Sequence, residues 1–184
     1  MRRFFSFIKL VLVLTLLMFG VWLLSATLLP EGILRGYFSR LFEIHPILRG
    51  QFTFWGTFLA NFLVAFLGIQ FMNLFKVGKT PGGLYVLPVF WILYGLLLGT
   101  NSFVFAADPV PFSISILWTR TGFNELLAYT LGYEASRNWA LWEQRGLWRV
   151  RRLPDKKWNP QTQDLAYWIA GLLLLILAVT REVR

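Results

Sequence analysis

The chain has no cysteine and a single histidine, His45, among its 184 residues. Without cysteine there can be no disulfide, no thiolate nucleophile and no iron–sulfur cluster. With one imidazole, paired-histidine ligation of haem, zinc or copper is excluded within one chain. Charge is scarce too: only 15% of residues are charged, with nine acidic against eighteen basic. No Walker motif, nucleophile elbow or HExxH segment occurs, so neither catalysis nor a cofactor is expected. The glycine-rich stretch at Thr80 reads as a tight turn.

What the chain has in quantity is apolar surface, 57% of its residues, with aromatics at 18%. A soluble domain of this size could not cover that much apolar area with polar side chains. The apolar residues also fall in long uncharged runs, at 10–29, 51–75, 80–107 and 165–180. The first three are long enough to cross a bilayer; the fourth is near the lower limit, and Arg181 could snorkel from its end. Arg2, Arg3 and Lys9 before the first run resemble the start of a secretory signal. The run is too long for one, however, and Leu29-Pro30-Glu31 is no small-residue cleavage site, so a retained helix is expected.

A further crossing does not emerge from hydropathy. Residues 122–142 are long enough to span but hold Glu125, Glu134 and Arg137, each costly in lipid. Loop charge supports the crossing. With this segment spanning and the N-terminus cytoplasmic, one side holds Arg2, Arg3, Lys9, Lys76, Lys79, Arg145, Arg149, Arg151, Arg152, Lys156 and Lys157. The other side holds Arg35, Arg40, Arg49, Arg120, Arg181 and Arg184, an asymmetry of the positive-inside kind. The net charge of +9 therefore reads as a topology signal, and nucleic acid is not expected as a partner.

The expected architecture is an all-α integral membrane protein, one polytopic domain over residues 1–184. Its five transmembrane helices lie near 10–29, 51–75, 84–107, 121–143 and 165–181. An amphipathic interfacial helix is expected near 32–45, from the stripe Ile33, Leu34, Tyr37, Phe38, Leu41, Ile44 and Leu48, with Pro46 expected to end it. Residues 112–118 read as a re-entrant turn or an early start of the fourth helix.

Within the fourth helix, Glu125, Ala128, Gly132, Ala135 and Ser136 share one side, a small-residue stripe that lets another helix approach. Glu125 reads as a proton- or cation-binding carboxylate, as an electrostatic contact to a partner, or as a structural partner of Asn61, Asn101 or Arg120. Glu134 and Arg137, three apart, read as a local pair. Asn61, in mid-helix, needs an interhelical partner; Gly95 and Gly99 form a small-xxx-small pattern; Asn101 is placed to cap or kink the outer end of the third helix. His45 reads as structural or incidental. The basic segment of Arg145, Arg149, Arg151, Arg152, Lys156 and Lys157 reads as a topology signal, an anionic-lipid site or a site for an acidic partner.

Three stretches carry a resemblance. FTFWGTFLANFLVAFLGIQFMN, with Asn61, the run 63–66 and Gly68, is similar to the helix that opens the core of the stage II sporulation protein M family. YGLLLGTNSF, with Gly95 and Gly99, resembles that family's glycine-spaced third helix. GFNELLAYTLGY, with Gly122 and Glu125, resembles its Gly–aliphatic–Glu–leucine start of the next helix. Tyr94 and Thr121 depart from the Asn and His that members often carry there. The resemblance covers roughly residues 52–184 and implies a multi-pass scaffold without catalysis of its own, in a bacterial plasma membrane. From the residues themselves, the expected function is a scaffold or accessory subunit whose partners are membrane lipids and other membrane proteins or a second copy. The alternatives are a small transport component using Glu125 and Asn61, and a subunit of a pigment or electron-transfer assembly.

Overall fold

The computed structural model describes residues 2–35, 54–102, 112–119, 121–145, 149–153 and 159–182. The chain forms α1 (Arg2–Leu28), α2 (Phe54–Asn73), β1 (Phe75–Val77), β2 (Thr80–Pro81) and α3 (Gly83–Gly99). A short α4 (Ile116–Thr119), α5 (Thr121–Ser136), β3 (Trp142–Gln144), β4 (Val150–Arg152) and α6 (Thr162–Glu182) follow. The starts of α1, α3 and α6 and the ends of α2 and α5 meet at one end of the bundle, so successive long helices run in alternating directions.

Among the described residues three helices, α1, α2 and α6, are long and apolar enough to cross a membrane, where the sequence led to an expectation of five. The apolar α3 has 17 residues and α5 has 16. At 1.5 Å per residue these reach only about 24–26 Å, against ~30 Å of hydrocarbon. The helix expected to reach residue 107 stops at Gly99, because Asn101 takes a left-handed conformation (φ 47°) that asparagine tolerates better than most residues. The helix expected to reach residue 143 stops at Ser136, and Trp142–Gln144 is a strand. At the other ends, α1 and α6 begin earlier than their uncharged runs, taking in Arg3 and Asp164. Of the expected interfacial helix, residues 31–34 form a turn, and 36–45, with His45, lie outside the described residues.

The chain is mostly but not wholly helical. A four-stranded sheet of order β2-β1-β3-β4 sits where α2 and α5 end. Lys76 and Val77 pair antiparallel with Pro81 and Thr80 around Gly78 (φ 60°), so the Thr80 stretch is a strand as well as a turn. β1 runs parallel to β3, and β3 antiparallel to β4.

Packing follows a 3.6-residue period on helices that are apolar all round. On α1, Leu14, Met18, Trp22 and Ser25 are buried while Leu12, Leu16, Leu23 and Leu24 are exposed. The buried strip meets Leu87, Trp91, Gly95 and Leu98 of α3. On α2, Phe54, Phe58, Phe62 and Phe66 stack in a ladder with centroid spacings of 6.1, 5.5 and 5.8 Å. The last ring enters the bundle against Gly132 and Gly171. The polar α5 is the most enclosed helix: nearly every residue from 126 to 136 is buried, against α6, α2, α3 and α1.

The α1–α3 contact yields a direct test. A methyl at Gly95 would stand 2.6 Å from the Met18 carbonyl oxygen, whereas one at Gly20 meets nothing within 4 Å. Gly95→Ala should destabilise the detergent-solubilised protein by about 1–3 kcal/mol. Gly20→Ala should be neutral or stabilising, by roughly 0.5–1 kcal/mol. Equal unfolding midpoints for the two variants would refute close packing at Gly95.

Candidate functional site

Polar side chains inside the bundle fall at three levels. Halfway along, Asn61 opens the π-helical stretch Asn61–Leu67 of α2. Its amide donates to Glu125 Oε1 on α5 at 2.5 Å. Of the partners expected for Glu125, Asn61 is therefore present; Asn101 is engaged elsewhere, and Arg120 lies outside the described residues. A π-bulge widens the helix by one residue and re-aims the side chains near it.

At the end where α1 and α6 begin, Glu134 is almost fully enclosed, at 1% exposure. Arg137 bonds it at 3.0 Å, the i,i+3 pair legible in the sequence. The larger part of the cluster was not legible. Arg3 Nε stands 3.6 Å from Glu134, its Nη2 donates to the Glu134 carbonyl oxygen, and its Nη1 bonds Asp164 at 2.5 Å. Arg3 also lies over the Tyr167 ring, 5.1 Å from the centroid. Asp164 sits in the first turn of α6, where the helix dipole favours a carboxylate, and accepts from the Gln161 N–H at 2.9 Å. Trp139 Nε1 donates to it at 3.4 Å. Two guanidinium groups thus face two carboxyl groups, and the cluster joins α1, α5 and α6.

Beside it, Asn73 joins the remaining helices. Its amide donates to Ser136 Oγ at 2.8 Å and to the Tyr133 carbonyl, and its oxygen accepts from the Gly83 N–H at 2.9 Å. One layer deeper, Trp168 Nε1 donates to Gln70 at 3.1 Å, tying α6 to α2. Sequence reasoning passed over Asn73 and Gln70, although amides inside an apolar run are themselves a signal that a partner exists.

At the opposite end, Asn101 donates to Glu31 at 2.7 Å and its carbonyl accepts from Arg35 at 2.7 Å. Leu34 N–H donates to Ser102 Oγ at 3.1 Å. Asn101 therefore fastens the α3 end to the segment after α1.

Glycines occupy helix contacts: Gly95 and Gly99 face Met18, Trp22 and Ser25, Gly122 faces the Tyr94 ring, and Gly132 faces Phe66. On the sheet, Lys76 bonds Glu143 at 3.3 Å and Arg145 bonds it at 3.0 Å. The hydrogen bonds from Arg145 and Lys76 hold the Glu143 carboxyl below the usual carboxylate range. Of the basic segment, Arg149, Arg151 and Arg152 are exposed beside it, and Lys156 and Lys157 lie outside the described residues. No group of three or more potential metal ligands occurs among the described residues.

The buried ion cluster should behave as a unit. Arg3→Ala leaves Asp164 without its guanidinium and should cost about 3–5 kcal/mol, as breaking a buried pair does. Arg3→Ala combined with Asp164→Asn should cost less than the sum of the two single changes. Urea unfolding of the four proteins in one detergent checks this; strict additivity would show that the two groups do not interact. Compared with known proteins, the chain matches no family model, no curated protein and no solved structure.

Proposed function

We propose that this chain is a five-pass membrane scaffold or accessory subunit, without catalytic activity, that assembles with other membrane proteins. The observation that carries this reading is the use made of the α5 carboxylates. Glu125 is bonded by α2, and Glu134 by α1 and by Arg137 in the turn after α5. Each serves to fasten helices, which leaves function to the outer faces. Those faces are broad: Leu12, Leu16, Leu24 and Leu28 on α1 and Leu173 and Leu177 on α6 are between 52% and 74% exposed. They fit lipid or an apolar partner helix. The resemblance to the stage II sporulation protein M family, in the stretches around Asn61, Gly95 and Glu125, points the same way. A bacterial plasma membrane with the N-terminus cytoplasmic is the location that goes with it.

In this reading α3 and α5 cross as well, because the alternation of helix directions and the enclosure of α5 leave it shielded from lipid. The distribution of basic residues sets the orientation. The topology test uses single cysteines in a chain that has none. Lys79→Cys should react with an impermeant maleimide only from the cytoplasmic side, and Glu31→Cys only from the other. Labelling of both from one side would refute the five-pass arrangement.

A second reading, a small transport component, draws on the π-helical stretch that begins at Asn61 and on its bond to Glu125. One pair of experiments separates the two. Purification from native membranes in a mild detergent should retain a partner protein in fixed ratio if the chain is a subunit. A clean preparation that drives solute flux in liposomes, abolished by Glu125→Gln in a folded protein, would overturn the scaffold reading.

A further inference from the structure

The sheet has two chemically distinct faces. Directly paired residues point to the same side, and successive residues alternate. Phe75, Trp142 and Arg152 therefore share one face with Val77, Gln144 and Val150, as the pairing registers and the stacked Phe75 and Trp142 rings (5.3 Å) require. Lys76, Glu143 and Arg151 share the other, where Lys76 and Glu143 form their ion pair. The first face is mainly apolar, Gln144 and Arg152 apart, yet open: Val77 is 42% and Val150 55% exposed.

Two observations identify what covers it. The apolar face continues the outer surface of α2, since Phe71, 60% exposed on that helix, meets Phe75 edge-on at 5.7 Å. Whatever solvates the end of α2 also reaches the sheet, and α2 is long and apolar enough to lie in a membrane. The second observation is charge. Among the described residues of the sheet and its turns, Lys76, Lys79, Arg145, Arg149, Arg151 and Arg152 face one carboxylate, Glu143. Glu143 pairs with Lys76 and Arg145, and no ion pair engages the other four cations among the described residues. An apolar face bordered by exposed cations is complementary to an anionic lipid surface, with the rings among the headgroups and the guanidinium groups on phosphate.

We propose that this sheet is an amphipathic platform that lies on the membrane and binds anionic phospholipid. Phe75, Val77, Trp142 and Val150 enter the interface, and Arg149 and Arg152 hold lipid phosphate. Arg152 stands on the apolar face of the edge strand, from which its long side chain snorkels to the headgroup level.

The native absence of cysteine permits a clean test. Spin labels are placed singly at Val77→Cys and Val150→Cys on the apolar face, Arg151→Cys on the opposite face, and Val64→Cys on the exposed side of α2. The full-length protein is reconstituted in phosphatidylcholine vesicles with and without phosphatidylglycerol. Collision rates are read with oxygen, which concentrates in lipid, and with a water-soluble nickel chelate.

The expected result is an oxygen-to-nickel ratio several-fold higher at positions 77 and 150 than at 151. The ratio should rise further when phosphatidylglycerol is added, and Arg149→Gln with Arg152→Gln should remove that rise. Equal nickel access on both faces, or no response to phosphatidylglycerol, overturns the proposal. So does dipolar broadening between labels at position 150, which would mean that a second copy covers the face. The inference rests on α2 lying in the membrane, and the label at position 64 separates the two. If that label is in water, the membrane placement itself fails; if it is in lipid while 77 and 150 are in water, only the sheet proposal fails.

Discussion

The bundle depends on enclosing one carboxyl group, Glu134, where three helix ends meet. A buried carboxylate is expensive unless opposite charge and hydrogen bonds meet it, and removing one partner leaves the others uncompensated. Here two guanidinium groups meet it, Arg137 just past the end of α5 and Arg3 at the start of α1, while Asp164 at the start of α6 shares Arg3. These contacts join the start of α1, the end of α5 and the start of α6. They set which helix ends lie together, and with them the order in which α1, α5 and α6 pack.

Helix spacing follows from side-chain size once those ends are fixed. α5 can be enclosed because its surface is cut down to Ala128, Gly132, Ala135 and Ser136, and the space left at Gly132 and Gly171 takes the Phe66 ring. α1 and α3 approach because Gly95 and Gly99 offer no side chain against the α1 backbone. Small residues act here by letting backbones and rings come close, which is how helices gain attraction where apolar burial gains nothing over lipid.

The helices that are long and uncharged could be read directly, since length and apolarity are local properties of the chain. Their ends could not. α3 stops because Asn101 turns left-handed and is held by Glu31, a residue far away in the chain. α1 starts at Arg2 because Arg3 has partners on two other helices. The sheet was illegible for another reason. Strands of two or three residues carry too little alternation to recognise, and β1 and β3 pair only because α2 and α5 end side by side. In the candidate site the local Glu134–Arg137 pair and the need of Asn61 for a partner were readable, because spacing and burial imply them. Arg3 and Asp164 looked like ordinary flanking charges, and nothing local distinguishes a charge that ends a helix from one that reaches across to another.

The polar layers also bear on how helices as short as α3 and α5 could live in a bilayer. In hydrocarbon every backbone N–H and C=O must find a partner within the protein. The groups at the α3 ends do so through neighbours. Asn73 accepts from the Gly83 N–H at one end, and at the other Gly32 donates to the Thr100 carbonyl while Arg35 donates to that of Asn101. The start of α3 is thus finished by α2, and its end by the segment that follows α1. A helix completed in this way cannot slide or tilt without uncovering polar groups, so α3 is held in register by α2 and by the segment after α1. That constraint fits the proposed scaffold, in which the exposed faces and the sheet make the contacts.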